Sequence, residues 1–159
     1  MLFRSIAGGI GSGKSTLLQC LARSLSVESG TIFFNGSDIN RTPVSDIRRK
    51  IAFVHQESFL FSRTVEENIL YGSSFLEVSD KELRRAQARA AAQLANVDED
   101  AIHLPDGYDT LLGERGTNIS GGQRQRLTIA RAIARGPKVL ILDDCMSRSE
   151  EHTSELQSL

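Results

Sequence analysis

The chain has 159 residues, 40% of them hydrophobic and 25% charged, with a net charge of −1. That is the balance of a globular domain, and it leaves no broad basic surface for nucleic acid or anionic lipid. No apolar run approaches the roughly 18–20 residues that a membrane helix needs, and no secretory leader is read at the start. Cys20 and Cys145 lie far apart without a pair motif, as expected for free thiols in a reducing cytosolic setting.

Ile6-Ala7 reads as the stub of a strand that runs into the glycine-rich stretch from Gly8 to Thr16. Lys14 to Leu25 reads as a helix, with Leu17, Leu18, Leu21, Ala22 and Leu25 at helical spacing and expected to face the core. Thr31 to Phe34, followed by Asn35-Gly36, predicts a strand and a tight turn. Ile47 to Lys50 leads into a second strand, Ile51 to Val54, with Gln56 just past its end. Ser79-Asp80-Lys81-Glu82 predicts a capping box that opens an Ala- and Arg-rich helix to about Ala95. Pro105-Asp106-Gly107 marks a turn. Gly121-Gly122 starts a helix through Arg135, Gly136-Pro137 ends it, and Lys138 to Leu142 reads as a buried-type strand. Strands alternating with helices predict an α/β fold with a mainly parallel sheet.

The chemistry begins at Gly8-Gly9-Ile10-Gly11-Ser12-Gly13-Lys14-Ser15-Thr16, a match to the phosphate-binding pattern G-x-x-x-x-G-K-[ST]. A polyphosphate is best received by backbone N–H groups, and glycines let the backbone wrap close. The helix that follows turns its positive end toward the anion. Lys14 is expected to reach the β- and γ-phosphates of ATP, and the Ser15 hydroxyl to ligate Mg²⁺. Val139 to Leu142 is an apolar strand that ends in Asp143, an oxygen ligand suited to the same hard cation. His55 and His103 stand alone, with structural roles expected, and Arg124, Arg126, Arg131 and Arg135 are expected to be solvated or bridging.

Ile119-Ser120-Gly121-Gly122-Gln123 resembles the signature of ABC ATPases, with Ile where Leu is usual. In order with the loop and the Asp143-Asp144 strand end, it makes the chain resemble the ATP-binding domain of an ABC transporter. The resemblance covers Ile6 to Ser147. The fold it implies is a P-loop NTPase (RecA-like) core with a parallel sheet plus the ABC helical subdomain at about 64–134, incomplete at both ends. Gln56 matches the Q-loop, which senses the γ-phosphate and Mg²⁺ and couples them to the membrane partner. Asp144 stands where the family usually has Glu, the residue that polarises the attacking water. Its side chain is one methylene shorter, so slow or absent hydrolysis is expected at this chain's own loop.

The resemblance also implies partners. Ser120, Gly121, Gly122 and Gln123 would act on ATP held by a second ABC ATP-binding domain in a head-to-tail dimer. An intact signature beside Asp144 suggests a heterodimer in which this chain carries the degenerate site. Val54 to Val65, Pro105 to Thr110 and Gly113-Glu114-Arg115-Gly116 look like the exporter subclass, whose X-loop faces the coupling helices of the transmembrane domain. The implied function is ATP binding and hydrolysis that powers export at the cytoplasmic face of a membrane, with no nucleic-acid partner. The alternatives are a soluble ABC ATPase acting on nucleic acid or ribosomes, which predicts basic surfaces or coiled-coil insertions, and an inactive fragment.

Residues 1–5 and 148–159 resemble translated sequencing adapter, which leaves 6–147 as a partial ABC ATP-binding domain and gives His152 and its acidic neighbours no function. The family's adenine-stacking aromatic, D-loop and switch histidine are not found. An isolated fragment of this extent is expected to be insoluble or weakly folded and to lack ATPase activity.

Overall fold

The computed structural model describes residues 4–9 and 11–143. The expectations for Asp144, Cys145 and the 148–159 tail lie outside the described residues. Helix α1 (Lys14–Leu21) starts from Gly13, whose φ of 86° places it in the left-handed region. It ends a turn earlier than its apolar periodicity suggests. Arg23 adopts φ 54°, and the N–H groups of Ser24 and Leu25 both close onto the Gln19 carbonyl. Leu18, Leu21 and Ala22 face the core as expected, whereas Leu17 and Leu25 are exposed.

Strands β1 (Phe33–Phe34) and β2 (Ser37–Asp38) form an antiparallel hairpin. Asn35 and Gly36 turn it with φ of 51° and 78°, the two positive values that match the twist of a tight hairpin. Sequence reading missed β2 and also α2 (Val44–Lys50), which opens at Pro43 and gathers Arg48, Arg49 and Lys50 in its last turn, the favourable end for cations.

Strand β3 (Ile51–Val54) forms where expected and pairs in parallel with β4 (Val139–Leu142), Ile51 opposite Val139 and Val54 opposite Leu142. Only Ile141 of β4 is buried, so the expectation of a buried strand is corrected: among the described residues β3 is its one ladder neighbour. Ile6-Ala7 is not a strand either; Ile6 is exposed, and nothing described pairs with it.

The remaining helices are α3 (Val65–Leu70), α4 (Lys81–Leu94), α5 (Asp98–Ile102) and α6 (Gly121–Ala134). Thr64 and Glu67 cap α3 reciprocally. Asp80, not Ser79, caps α4, its carboxylate accepting from the N–H groups of Glu82 at 2.9 Å and Leu83 at 3.1 Å. A carboxylate accepts more strongly than a hydroxyl and complements the helix dipole. Small residues at Ala88, Ala91 and Ala92 let α4 approach its neighbours, and the main core closes around Leu60, Ile69, Leu70, Leu112 and Leu127. Helix α6 joins this core to the sheet, with Leu127 and Ala130 on the helical side and Ala132 against Ala52 and Val54.

Charged groups bind these helices to one another. Buried Glu66 accepts from Arg84 and Arg85, and Arg85 also reaches Asp109 at 2.7 Å. Asp98 accepts from the Tyr108 hydroxyl at 2.8 Å and from Arg89 and Gln93 at 3.2 Å. Burial raises the Asp98 pKa, but these bonds outweigh it and hold the carboxyl below the usual Asp value of 3.8. The Arg85 bond does the same for Asp109. A folded acid with a depressed pKa binds fewer protons than the unfolded chain, so its contribution is present above the ordinary range and is lost as pH falls through it. Thermal melts followed by circular dichroism should therefore give a steady midpoint from pH 7 to about 5 and a falling one below about 4. A midpoint that holds steady down to pH 3 would contradict this assignment of the helical contacts.

Candidate nucleotide-binding site

The loop between residue 8 and α1 is held in a shape that only glycine permits cheaply. Gly11 and Gly13 have φ of 77° and 86°, and a Cβ on Gly8 would have to displace the Ser12 hydroxyl. Ser12 N–H donates to the Gly9 carbonyl at 3.2 Å and closes the turn. The Lys14 ammonium folds back over it, donating to the carbonyls of Gly8 at 2.6 Å and Gly9 at 2.8 Å. The first helical bond of α1 runs from Leu17 N to Gly13 O at 2.9 Å, so the N–H groups of Lys14, Ser15 and Thr16 lie ahead of any intrahelical acceptor.

Asp143 closes the site from the sheet. It sits at the carboxyl end of β4, 8% exposed, and its N–H donates to Val54 O at 3.0 Å, which ties the ends of β4 and β3 together. Ser15 Oγ donates to Asp143 Oδ1 at 3.0 Å across 128 residues of chain. Gln56 is exposed two residues beyond β3, at the same edge, where ligands of open parallel sheets bind. These groups fit a magnesium nucleotide: a hydroxyl and a carboxylate in contact for a hard cation, an ammonium and helix-start N–H groups for phosphate. Among the described residues no group of three or more His, Cys, Asp or Glu could hold a metal by itself.

The start of α6 also presents helix-start N–H groups. Ser120 is its N-cap, with Gln123 N donating to Ser120 Oγ at 3.1 Å and Ser120 N donating to Gln123 Oε1 at 2.9 Å. This reciprocal box uses two N–H groups and leaves those of Gly121 and Gly122 ahead of the first intrahelical acceptor. The Ser120 hydroxyl accepts one bond from the helix and retains its own proton to donate outward. Gln123 Nε2 continues to Asp100 of α5 at 3.1 Å.

Asn68, which sequence reading passed over, and Arg131, which bridges as one of the four arginines expected to be solvated or bridging, organise the segment after Gln56. Asn68 is fully buried; its Oδ1 accepts from Phe61 N at 2.9 Å and Arg131 Nη2 at 2.7 Å, and its Nδ2 reaches the carbonyls of Phe61, Arg63 and Thr64. Arg131 of α6 also donates to Asn68 O at 2.9 Å and Phe59 O at 2.8 Å, with its guanidinium 5.0 Å from the Phe61 ring centre. Burial pushes the Arg131 pKa down to about 10. An Asn on an otherwise apolar helix face, directly after a T-x-x-E box, is the available signal. Arg124, Arg126 and Arg135 bridge to Gly116 O, Asp100 and Arg48 O respectively. His55 lies against the Phe53 ring at 4.4 Å, and His103 Nδ1 sits 2.7 Å from Glu99 O.

A glycine-turned loop at the start of a helix, with a lysine over it and a hydroxyl–carboxylate pair at the sheet edge, defines a P-loop nucleotide-binding fold. The family model described as "ABC transporter" matches residues 3–147, and the chain belongs to that family. It is 43% identical over 152 residues to the uncharacterized ABC transporter ATP-binding protein YfiB of Bacillus subtilis (strain 168), covering 94% of this chain and 25% of that protein. It is 42% identical over 153 residues to multidrug resistance protein homolog 65 of Drosophila melanogaster, covering 96% of this chain and 11% of that one. A solved bacterial Atm1-family ABC exporter with ATP bound superposes with a TM-score of 0.77 at 35% identity, over 92% of this chain and 25% of that chain. The chain thus spans a quarter or less of the length of these relatives.

Proposed function

We propose that this chain is the ATP-binding portion of an ABC exporter, working at the cytoplasmic face of a membrane. The observation that carries the reading is the Ser15–Asp143 bond, which brings the loop, the start of α1 and the acidic strand end to one sheet edge. Lys14 and the N–H groups from Gly11 to Thr16 take the β- and γ-phosphates of ATP. Ser15 and Asp143, with Gln56 beside them, would hold Mg²⁺, which would supply positive charge against the phosphates. The Ser120-to-Gln123 turn receives the ATP of a second ATP-binding domain arranged head to tail. ATP binding closes the pair and hydrolysis reopens it. A groove lined by Phe53, His55, Glu57, Phe59, Thr128 and Arg131, between the Gln56 segment and α6, suits a coupling helix of the transmembrane partner.

Asp144 follows Asp143 in sequence and is the water-polarising candidate. A general base must stand roughly 2.6–3.2 Å from the proton it takes, and Asp reaches one methylene less far than Glu. This supports a heterodimer in which this chain's own loop is the slow site and its signature completes the partner's fast one. In the transporter that carries this chain, paired with itself, Asp144→Glu should raise ATP turnover at least about tenfold, part of the roughly 10²–10⁴-fold that a fully positioned base supplies. Brisk turnover by the unaltered homodimer, or no gain from Glu, would sink the asymmetric reading.

A further inference from the structure

The first turn of α6 is closed by bonds that end on a carboxylate outside the signature. Gln123 Oε1 is committed to Ser120 N, so its amide has one useful orientation, with Nε2 facing away. Asp100 Oδ1 accepts that Nε2 at 3.1 Å, and Asp100 Oδ2 accepts Arg126 Nη2 at 2.6 Å. Gln123 and Arg126 lie three residues apart on one face of α6, so one carboxylate of α5 grips both. The Arg126 bond, then the Gln123 bond, hold the Asp100 carboxyl below its ordinary range. It is therefore ionised at neutral pH and only accepts, so a flipped Gln123 amide would turn its oxygen onto a carboxylate and abandon Ser120 N. Arg126 Nε is buried without a partner among the described residues, so Asp100 is its main anchor.

We propose that Asp100 is a positioning residue for the ATP-facing turn: it fixes the Gln123 amide, which fixes the Ser120 cap and the outward direction of the Ser120 hydroxyl. The inference rests on the proposed role of the signature in a paired site. It adds a residue 23 positions away that decides how well that turn is ordered before nucleotide arrives. An unordered turn must be ordered on binding, which weakens nucleotide capture and leaves the chemical step alone.

The test uses the full-length transporter that carries this chain, with ATP turnover measured against MgATP concentration. Asp100→Ala should raise KM for MgATP about 3–10-fold, the scale of one ordinary net hydrogen bond, with kcat within about twofold. Backbone hydrogen exchange across residues 120–123 should quicken. Asp100→Asn keeps an acceptor for Gln123 and should recover most of the KM. Gln123→Glu keeps the capping oxygen but sets two carboxylates together, so it should raise KM, and Asp100→Asn in that background should lower it again. An unchanged KM in Asp100→Ala, a loss of kcat and melting temperature alone, or a Gln123→Glu defect indifferent to Asp100→Asn would each overturn the proposal. Ser120→Arg separates the two levels. Turnover that survives it refutes the signature reading itself, whereas turnover abolished by it with a flat Asp100 series refutes Asp100 alone.

Discussion

Lys14→Ala should weaken MgATP binding about 10–100-fold and leave the fold intact. The Lys14 ammonium carries two short bonds to the carbonyls of Gly8 and Gly9, so it is already poised over the mouth of the loop. When phosphate enters, those bonds are exchanged for charge-assisted ones, each worth about 1.5–3 kcal/mol. At about 1.4 kcal/mol per tenfold in affinity, a net loss of about one such bond gives the stated range. The side chain is not part of the apolar core, so stability should change by less than about 0.5 kcal/mol. Lys14→Arg should also bind poorly, because a planar fork does not replace a point charge in a turn this tight. Titration with a fluorescent nucleotide measures both variants; a dissociation constant within twofold of the unaltered protein would remove Lys14 from the site.

The second large effect belongs to Asn68. Asn68→Ala strips the buried acceptor from Phe61 N and Arg131 and the donor from three loop carbonyls. Buried groups left unsatisfied cost about 1–3 kcal/mol each, and the loop relaxes to rescue some, so a loss of about 3–5 kcal/mol is expected. Arg131→Met should cost less, about 2–3 kcal/mol, because Met fills part of the space and removes a charge that burial penalises. The two residues share bonds, so the double variant should fall short of the sum by at least about 1 kcal/mol. Urea unfolding of the four proteins measures this. Costs that add to within about 0.5 kcal/mol would mean that the residues act independently.

Much of this molecule could be read before its structure, and the legible parts share a physical character. The Gly8–Thr16 loop, strand β3 and helix α6 are announced by local signals: glycines where φ is positive, an unbroken apolar run, and a Ser120 cap answered by Gln123. Helix α2 is not legible, and α3 and α5 are not separable within the helical 64–134 stretch, because none exceeds seven residues and helices that short owe their stability to packing. The length of α1 was overread because Arg23 takes a left-handed conformation that apolar spacing does not reveal. Strand β4 looked buried because four apolar residues in a row fit a central strand, and composition does not say what covers it.

The site follows the same division. Ser15 and Asp143 each carry an oxygen that sequence offers as a candidate ligand, yet their bond joins positions 128 apart and only the fold brings them together. Asn68 and Arg131 lie 63 residues apart, and each looks ordinary in its own stretch of sequence. Arg131 in particular reads as one of four arginines around a helix; three-dimensional packing makes it the clasp between α6 and the segment after Gln56.

The most direct test of the account is an amide NMR titration of the protein with MgATP. Shifts should concentrate at Gly9, Gly11, Ser12, Gly13, Lys14, Ser15 and Thr16, with a smaller response at Asp143, and Lys14→Ala should suppress them. Saturable binding whose shifts leave this loop untouched, or no response at millimolar MgATP, would contradict the claim that this loop is the nucleotide site.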